Sequence, residues 1–149
     1  MFKCYFDGAC EPLNPGGTMA CGMVMFNNDK IIWQHGRIVS PKNGDLSKST
    51  NNCAEYAGLW LLLQELIRRN LNESEIIIMG DSQLVINQMW GTWRMNSGAY
   101  VGLALKCQEL LKQFKNIKGK WIPRDSNNIS DSLSKSALET LGIKSKKWK

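Results

Sequence analysis

Four carboxylates in this 149-residue chain stand where the sequence changes character: Asp7, Glu55, Asp81 and Asp131. Asp7 and Asp81 each follow a strand-like apolar run and each neighbours a glycine, in Asp7-Gly8 and Gly80-Asp81. Glu55 begins a helical apolar stripe, and Asp131 begins the last helical segment. Four carboxylates brought together without cations repel one another and lose hydration. If they converge, the natural counter-charge is a metal, and an all-oxygen donor set suits Mg²⁺ or Mn²⁺. Each acid also has an ordinary structural use. Asp7 before Gly8 suits a turn, and Asn52 with Glu55 fits a capping box. Asp81 and Asp131 fit helix caps.

The elements that must hold these acids are legible from periodicity. Residues 76–79 (Ile-Ile-Ile-Met) form an apolar run with three β-branched residues. That composition predicts a central strand buried on both faces, inside a parallel sheet. It ends at Gly80-Asp81, and a short helix is expected over 82–89. Ligands collect where such strands end at their carboxyl side. Upstream, strands are expected over 2–6, 19–26 and 31–39, with Asp7 after the first. A Gly/Pro-rich turn at 9–17 and a tight turn at 27–30 join them as an antiparallel meander. Gly36 is expected at a bulge. Residues 40–49 read as a loop.

A helix follows from near Asn52 to about Arg69. Leu59, Leu62 and Leu66 lie four, seven and eleven residues after Glu55 and share its face. A further helix is expected over 98–114, with Tyr100, Ala104, Cys107, Leu111 and Phe114 as its stripe. A strand then ends at Ile122, a loop spans 123–128, and a helix from near Asp131 turns Leu133, Ala137, Leu138 and Leu141 inward. The order β-β-β-α-β-α-α-β-α implies an α/β fold: a five-stranded mixed sheet, three strands antiparallel and two parallel, with helices on both faces. Residues 1–149 read as one domain, and the Met1 start and closing tail favour a free-standing protein.

Composition agrees with a soluble globular chain: 43% hydrophobic, 21% charged, net charge +6. The positive excess favours polyanionic partners. Lys144, Lys146, Lys147 and Lys149 form a small basic end, read as a solvated terminus. Five cysteines without a C-x-x-C pair argue for free thiols in a reducing cytoplasm rather than a zinc site or a disulfide framework. No leader is visible, and no apolar run approaches membrane length.

At the four acids the chain closely resembles type 1 ribonuclease H over nearly its whole length. The motifs that carry the likeness are Asp7-Gly8, Thr50-Asn51-Asn52-Cys53-Ala54-Glu55, Gly80-Asp81-Ser82-Gln83 and Asn127-Asn128-Ile129-Ser130-Asp131. The resemblance implies the ribonuclease H-like fold and a monomeric endonuclease that cuts the RNA strand of RNA–DNA hybrids, leaving 5′-phosphate and 3′-hydroxyl ends. It implies that Asp7, Glu55, Asp81 and Asp131 hold two Mg²⁺ ions, replaceable by Mn²⁺. Asn14, Asn51 and Gln83 match positions that contact nucleic acid in the minor groove, and Thr50 matches part of a pocket for a DNA phosphate. Asn127 and Trp93 join them as expected substrate contacts.

Two departures from the family pattern stand out. Many bacterial members carry a His in the loop before the last Asp; here that loop holds Arg124 and resembles the archaeal-like branch. Arg124 is expected to hold the scissile phosphate or to aid product release. The lysine-rich handle that many members insert after the second helix is missing between Gln88 and Gly98, so fewer phosphate contacts are expected. Trp93 could stack on sugars, and Trp90 is either its companion or a core residue. His35, the one histidine, reads as structural. Rival readings are a catalytically weak or inactive nucleic-acid-binding domain of this fold, and a ribonuclease H domain associated with a reverse transcriptase. A related exonuclease would need an Asp-x-Glu pair on the first strand, and Asp7-Gly8-Ala9 lacks it.

Overall fold

The computed structural model describes residues 1–144; Lys146, Lys147 and Lys149 of the basic tail lie outside them. The chain forms β1 (Phe2–Glu11), β2 (Thr18–Asn27), β3 (Lys30–Val39), α1 (Asn51–Arg68), β4 (Glu75–Gly80), α2 (Gln83–Trp90), α3 (Val101–Leu111), β5 (Asn116–Trp121) and α4 (Asn128–Glu139). The five strands make one sheet in the order β3-β2-β1-β4-β5. β1 to β3 are antiparallel, and β4 and β5 add in parallel on the other side of β1. The mixed sheet expected from the element order is present.

β1, not β4, is the middle strand, and it is longer than its apolar run suggests. It continues through Asp7 to Glu11, paired along its length with β2 from Phe2↔Asn27 to Glu11↔Thr18. The ladder to β4 stops at Phe6, so it is the ladder to β2 that holds residues 7–11 as strand; their polar and small side chains alone do not mark them as one. The pleat then sorts the side chains by face. Cys4, Phe6 and Cys10 point into the main core with Tyr56, Leu59, Leu62, Leu63 and Leu66 of α1. Ala9 points the other way, into a smaller cluster with Ala20, Ala137 and Leu138 under α4. Helices therefore cover both faces.

Small residues let the helices in. A Cβ on Gly22 would come to 2.0 Å from Ser130 O, and one on Gly36 to 2.4 Å from Leu133 O. Gly36 thus serves the close approach of α4 and not a bulge; the irregularity in this hairpin falls between Met25 and Phe26. α4 begins at Asn128, ahead of the expected start, and ends at Glu139. Leu141 lies beyond that end and is 57% exposed, so it does not face the core as expected. The five cysteines are free and buried, as composition indicated. Among the described residues, no helix is long and apolar enough to cross a membrane.

Candidate active site

The β1–β4 ladder ends at the pair Phe6↔Gly80. Asp7 and Asp81 are the next residue on each strand, so the register alone sets the two carboxylates side by side where the strands part. Glu55 reaches them from the first turns of α1, and Gly8 makes this possible. A Cβ at Gly8 would lie 2.3 Å from Glu55 N and 2.4 Å from Ala54 C. The helix backbone therefore rests directly on the strand. The result is a cluster in which ligand atoms of Asp7, Glu55 and Asp81 all lie within 4.8 Å of one another. Asp7 and Glu55 are buried, Asp81 half-buried.

Two unit negative charges at that separation repel by roughly 3 kcal/mol at an effective dielectric constant of about 20. Three of them need a compensating positive charge or a proton. Asp81 Oδ2 is buried without a hydrogen-bond partner among the described residues, as befits an oxygen kept for a ligand. An all-oxygen set of three carboxylates fits a hard divalent cation.

Capping duty falls to other residues, which releases the acids from the structural uses open to them in the sequence. Thr50, not Asn52, caps α1; its hydroxyl accepts from Cys53 N at 3.1 Å. Ser82 caps α2, accepting from Val85 N at 3.2 Å, so Asp81 is not the cap. Asn127 takes the N-cap position of α4, and Asp131 lies inside the first turn.

Asn14 and Asn51 join Glu55 in a chain of hydrogen bonds. Asn51 N donates to Asn14 Oδ1 at 3.0 Å, and Asn51 Nδ2 donates to Glu55 Oε1 at 3.0 Å. The turn between β1 and β2 thereby reaches the start of α1, where Gly16 N also donates to Ser49 O at 2.9 Å. Asn127 is buried. Its amide donates to Phe6 O at 2.8 Å, and its own oxygen accepts from Ser130. It pins the start of α4 to β1 one residue from Asp7. Gln83 and Arg124 are exposed, the first at the start of α2 and the second in the short turn before α4.

Asp131 is not one of the three acids whose ligand atoms meet within 4.8 Å. Its Oδ2 is 2.9 Å from Lys135 Nζ, one helical turn on, with both side chains 13% exposed. Lys135 carries no motif signal; its i,i+4 spacing from Asp131 was the one available clue. Trp121 is a second addition, its Nε1 donating to Asp81 O at 3.1 Å. A third is a buried polar network under the loop where a handle would be inserted. Tyr56 OH donates to Gln88 Oε1 at 2.6 Å, and Gln88 Nε2 donates to Tyr100 OH and to Arg94 O, each at 3.0 Å. Trp90 packs over β5, where a Cβ on Gly119 would meet its ring at 2.1 Å. Trp93 is 48% exposed in the same loop.

Residues 5–137 match the model of a family described as reverse transcriptase-like. Ribonuclease HI of Halobacterium salinarum is 33% identical over 135 residues, 91% of this chain and 63% of that protein. A bifunctional protein of Mycobacterium tuberculosis is 31% identical over 111 residues, 73% of this chain. The chain spans only 30% of the length of that mycobacterial relative. The crystal structure of RNase H1 from Halobacterium salinarum superposes with a TM-score of 0.78 at 30% identity, covering 93% of this chain and 98% of that one. The motifs, the sheet order and these likenesses agree, and the chain belongs to the reverse transcriptase-like family, among its type 1 ribonucleases H.

Proposed function

We propose that this chain is an endoribonuclease that hydrolyses the RNA strand of RNA–DNA hybrids and leaves 5′-phosphate and 3′-hydroxyl ends. The observation that carries this reading is the Asp7–Glu55–Asp81 cluster at the mouth of the β1–β4 pair. Asp7, Glu55 and Asp81 would hold two Mg²⁺ ions, with Asp131 at the margin; Mn²⁺ is the expected substitute. When bound, the metal supplies positive charge that lowers the pKa of an attacking water and stabilises the leaving 3′ oxygen.

The remaining roles belong to this chain's own residues. Asn51 orients Glu55 through its amide N–H, which leaves the Asn51 carbonyl oxygen and the Asn14 amide N–H for a 2′-hydroxyl. Gln83 presents a third amide from the start of α2. That group of amides suits RNA, since the 2′-hydroxyl both donates and accepts. Thr50 and the start of α1 face a phosphate of the DNA strand, and Trp93 offers an aromatic surface to its sugars. Arg124 supplies a fixed cation for phosphate charge. Asn127 acts through position, holding β1 to α4 beside Asp7.

The test is cleavage of an end-labelled RNA–DNA hybrid with Mg²⁺, and with EDTA as control. Asp81→Asn is expected to lower the rate by roughly 10²–10³-fold or more, as when one transition-state-stabilising group is lost, with the fold retained. Undiminished cleavage by Asp81→Asn would overturn the assignment. Gel-resolved products ending in 3′-phosphate would overturn the proposed end chemistry.

A further inference from the structure

A groove of about 440 Å³ runs along the outer side of α1, between the end of β3, the loop after it and α3. Its rim carries Arg37, Lys42, Lys48 and Lys106, and its lining contains no carboxylate. Trp60 lies in it, with Lys106 Nζ 5.4 Å from the ring centroid. A second hollow of about 360 Å³ continues the groove, sharing Arg37 and Leu61 with it. Here Trp33 and His35 alternate with Arg37 along one face of the edge strand β3, and the two rings stack with centroids 6.0 Å apart. Arg68 and Arg69 nearby are taken up by Glu65, whose carboxyl is held below its ordinary range chiefly by the Arg68 hydrogen bond. The cations at the rim of the larger groove are paired with no acid in its lining.

From these observations we propose that the groove is a track for single-stranded nucleic acid continuing from the hybrid. The inference rests on the function proposed above. Cations spaced along a groove track a phosphate backbone, and open aromatic faces stack on bases without reading their sequence. The groove begins beside the start of α1, the helix that carries Glu55. Lys48 and Cys53 line its near end, on either side of Thr50 and Asn51. A strand leaving the carboxylates past the start of α1 therefore meets Lys48 and Lys42, then Trp60, Lys106 and Arg37, and reaches Trp33 and His35. This places a positive, aromatic surface on a chain whose loop at 91–98 has no lysine. An acidic peptide would also suit the charge, but the start beside the helix of a phosphodiester site and the half-buried Trp60 and Trp33 with exposed His35 along the groove favour a polynucleotide.

The experiment is fluorescence anisotropy with three probes: a blunt RNA–DNA hybrid, the same hybrid with an oligothymidylate extension, and the oligothymidylate alone, with Ca²⁺ in place of Mg²⁺. The extension is expected to tighten binding about 5-fold or more, the effect of stacking even one base well, and to steepen the dependence on salt. Lys42→Glu with Lys106→Glu, both at exposed positions, should abolish this gain while leaving affinity for the blunt hybrid and its cleavage unchanged. Trp60→Leu should lower the gain without changing the salt slope. Equal affinity of the wild-type chain for blunt and extended hybrids overturns the proposal, as does an equal loss on both in the charge-reversed variant. Displacement by an acidic, aromatic peptide without oligothymidylate binding assigns the groove to a protein and also overturns it. Absence of hybrid cleavage by the wild-type chain would count against the proposed function alone, because oligothymidylate binding still reads the groove.

Discussion

The four carboxylates are not equivalent in the structure, and their chemistry should reflect that. Asp7, Glu55 and Asp81 share one cluster, whereas Asp131 lies outside it with a lysine at 2.9 Å. Asp131→Asn is therefore expected to cost clearly less activity than Asp81→Asn when both rates are measured on the same hybrid at saturating Mg²⁺. Equal losses would place Asp131 in the cluster during turnover. Arg124 is the other residue whose behaviour its chemistry fixes. A guanidinium stays charged across the neutral range and cannot shuttle protons. Arg124→Ala should lower kcat more than it raises KM, Arg124→Lys should keep a good part of the activity, and neither should add an ionisation to the pH–rate profile. Turnover in Arg124→Ala equal to that of the wild type would make it an ordinary exposed arginine.

Packing between elements brings the acids together, and Gly8 is its most exacting point. α1 rests on β1 so closely that a methyl group there would overlap the backbone at Ala54 and Glu55. Backbone cannot rotate away as a side chain can, so Gly8→Ala must shift the helix. Overpacking of this type costs about 1–3 kcal/mol, and here the shift also moves Glu55 from the cluster. Gly36→Ala meets Leu133 O of α4 in a comparable way but on the far side of the sheet from α1. Urea unfolding should show both variants destabilised, with the larger loss of activity per unit of stability in Gly8→Ala. Thr50→Ala removes the cap of α1 and should cost about 1 kcal/mol, again measured by urea unfolding.

For the molecule as a whole, the buried thiols set an alkaline limit. Burial pushes Cys4, Cys21 and Cys107 up to about 12. In an unfolded chain thiols ionise at about 8.5. Above that pH the unfolded chain releases protons that the folded chain keeps, so the unfolded state gains and stability falls. The contribution of these thiols is fully present below the unfolded value and is lost as pH rises from there toward 12. The midpoint of urea unfolding should accordingly drop between neutral pH and about pH 10.5. Cys107→Ala should flatten that drop, and a drop unchanged in this variant would remove the thiol from the account. For the same reason a thiol reagent should label the folded chain far more slowly than the unfolded one.

Much of this could be read from residue order. Ile76 to Met79 announced β4, the leucines after Glu55 announced α1, and Asp7-Gly8 and Gly80-Asp81 marked the strand ends where chemistry gathers. Local sequence carries these because periodicity and turn chemistry are local properties. It did not carry the extension of β1 through Asp7, since that segment is held by its ladder to β2 rather than by its own side chains. Nor did it separate Asp131 from the other acids, because the helix start at Asn127 and the contact with Lys135 depend on how α4 packs across Gly22 and Gly36. The ladder register that sets Asp7 beside Asp81, and the missing Cβ that admits Glu55, act between residues far apart in the chain. The sequence names the acids, and the packing of β1 against β4 and α1 decides which of them share charge.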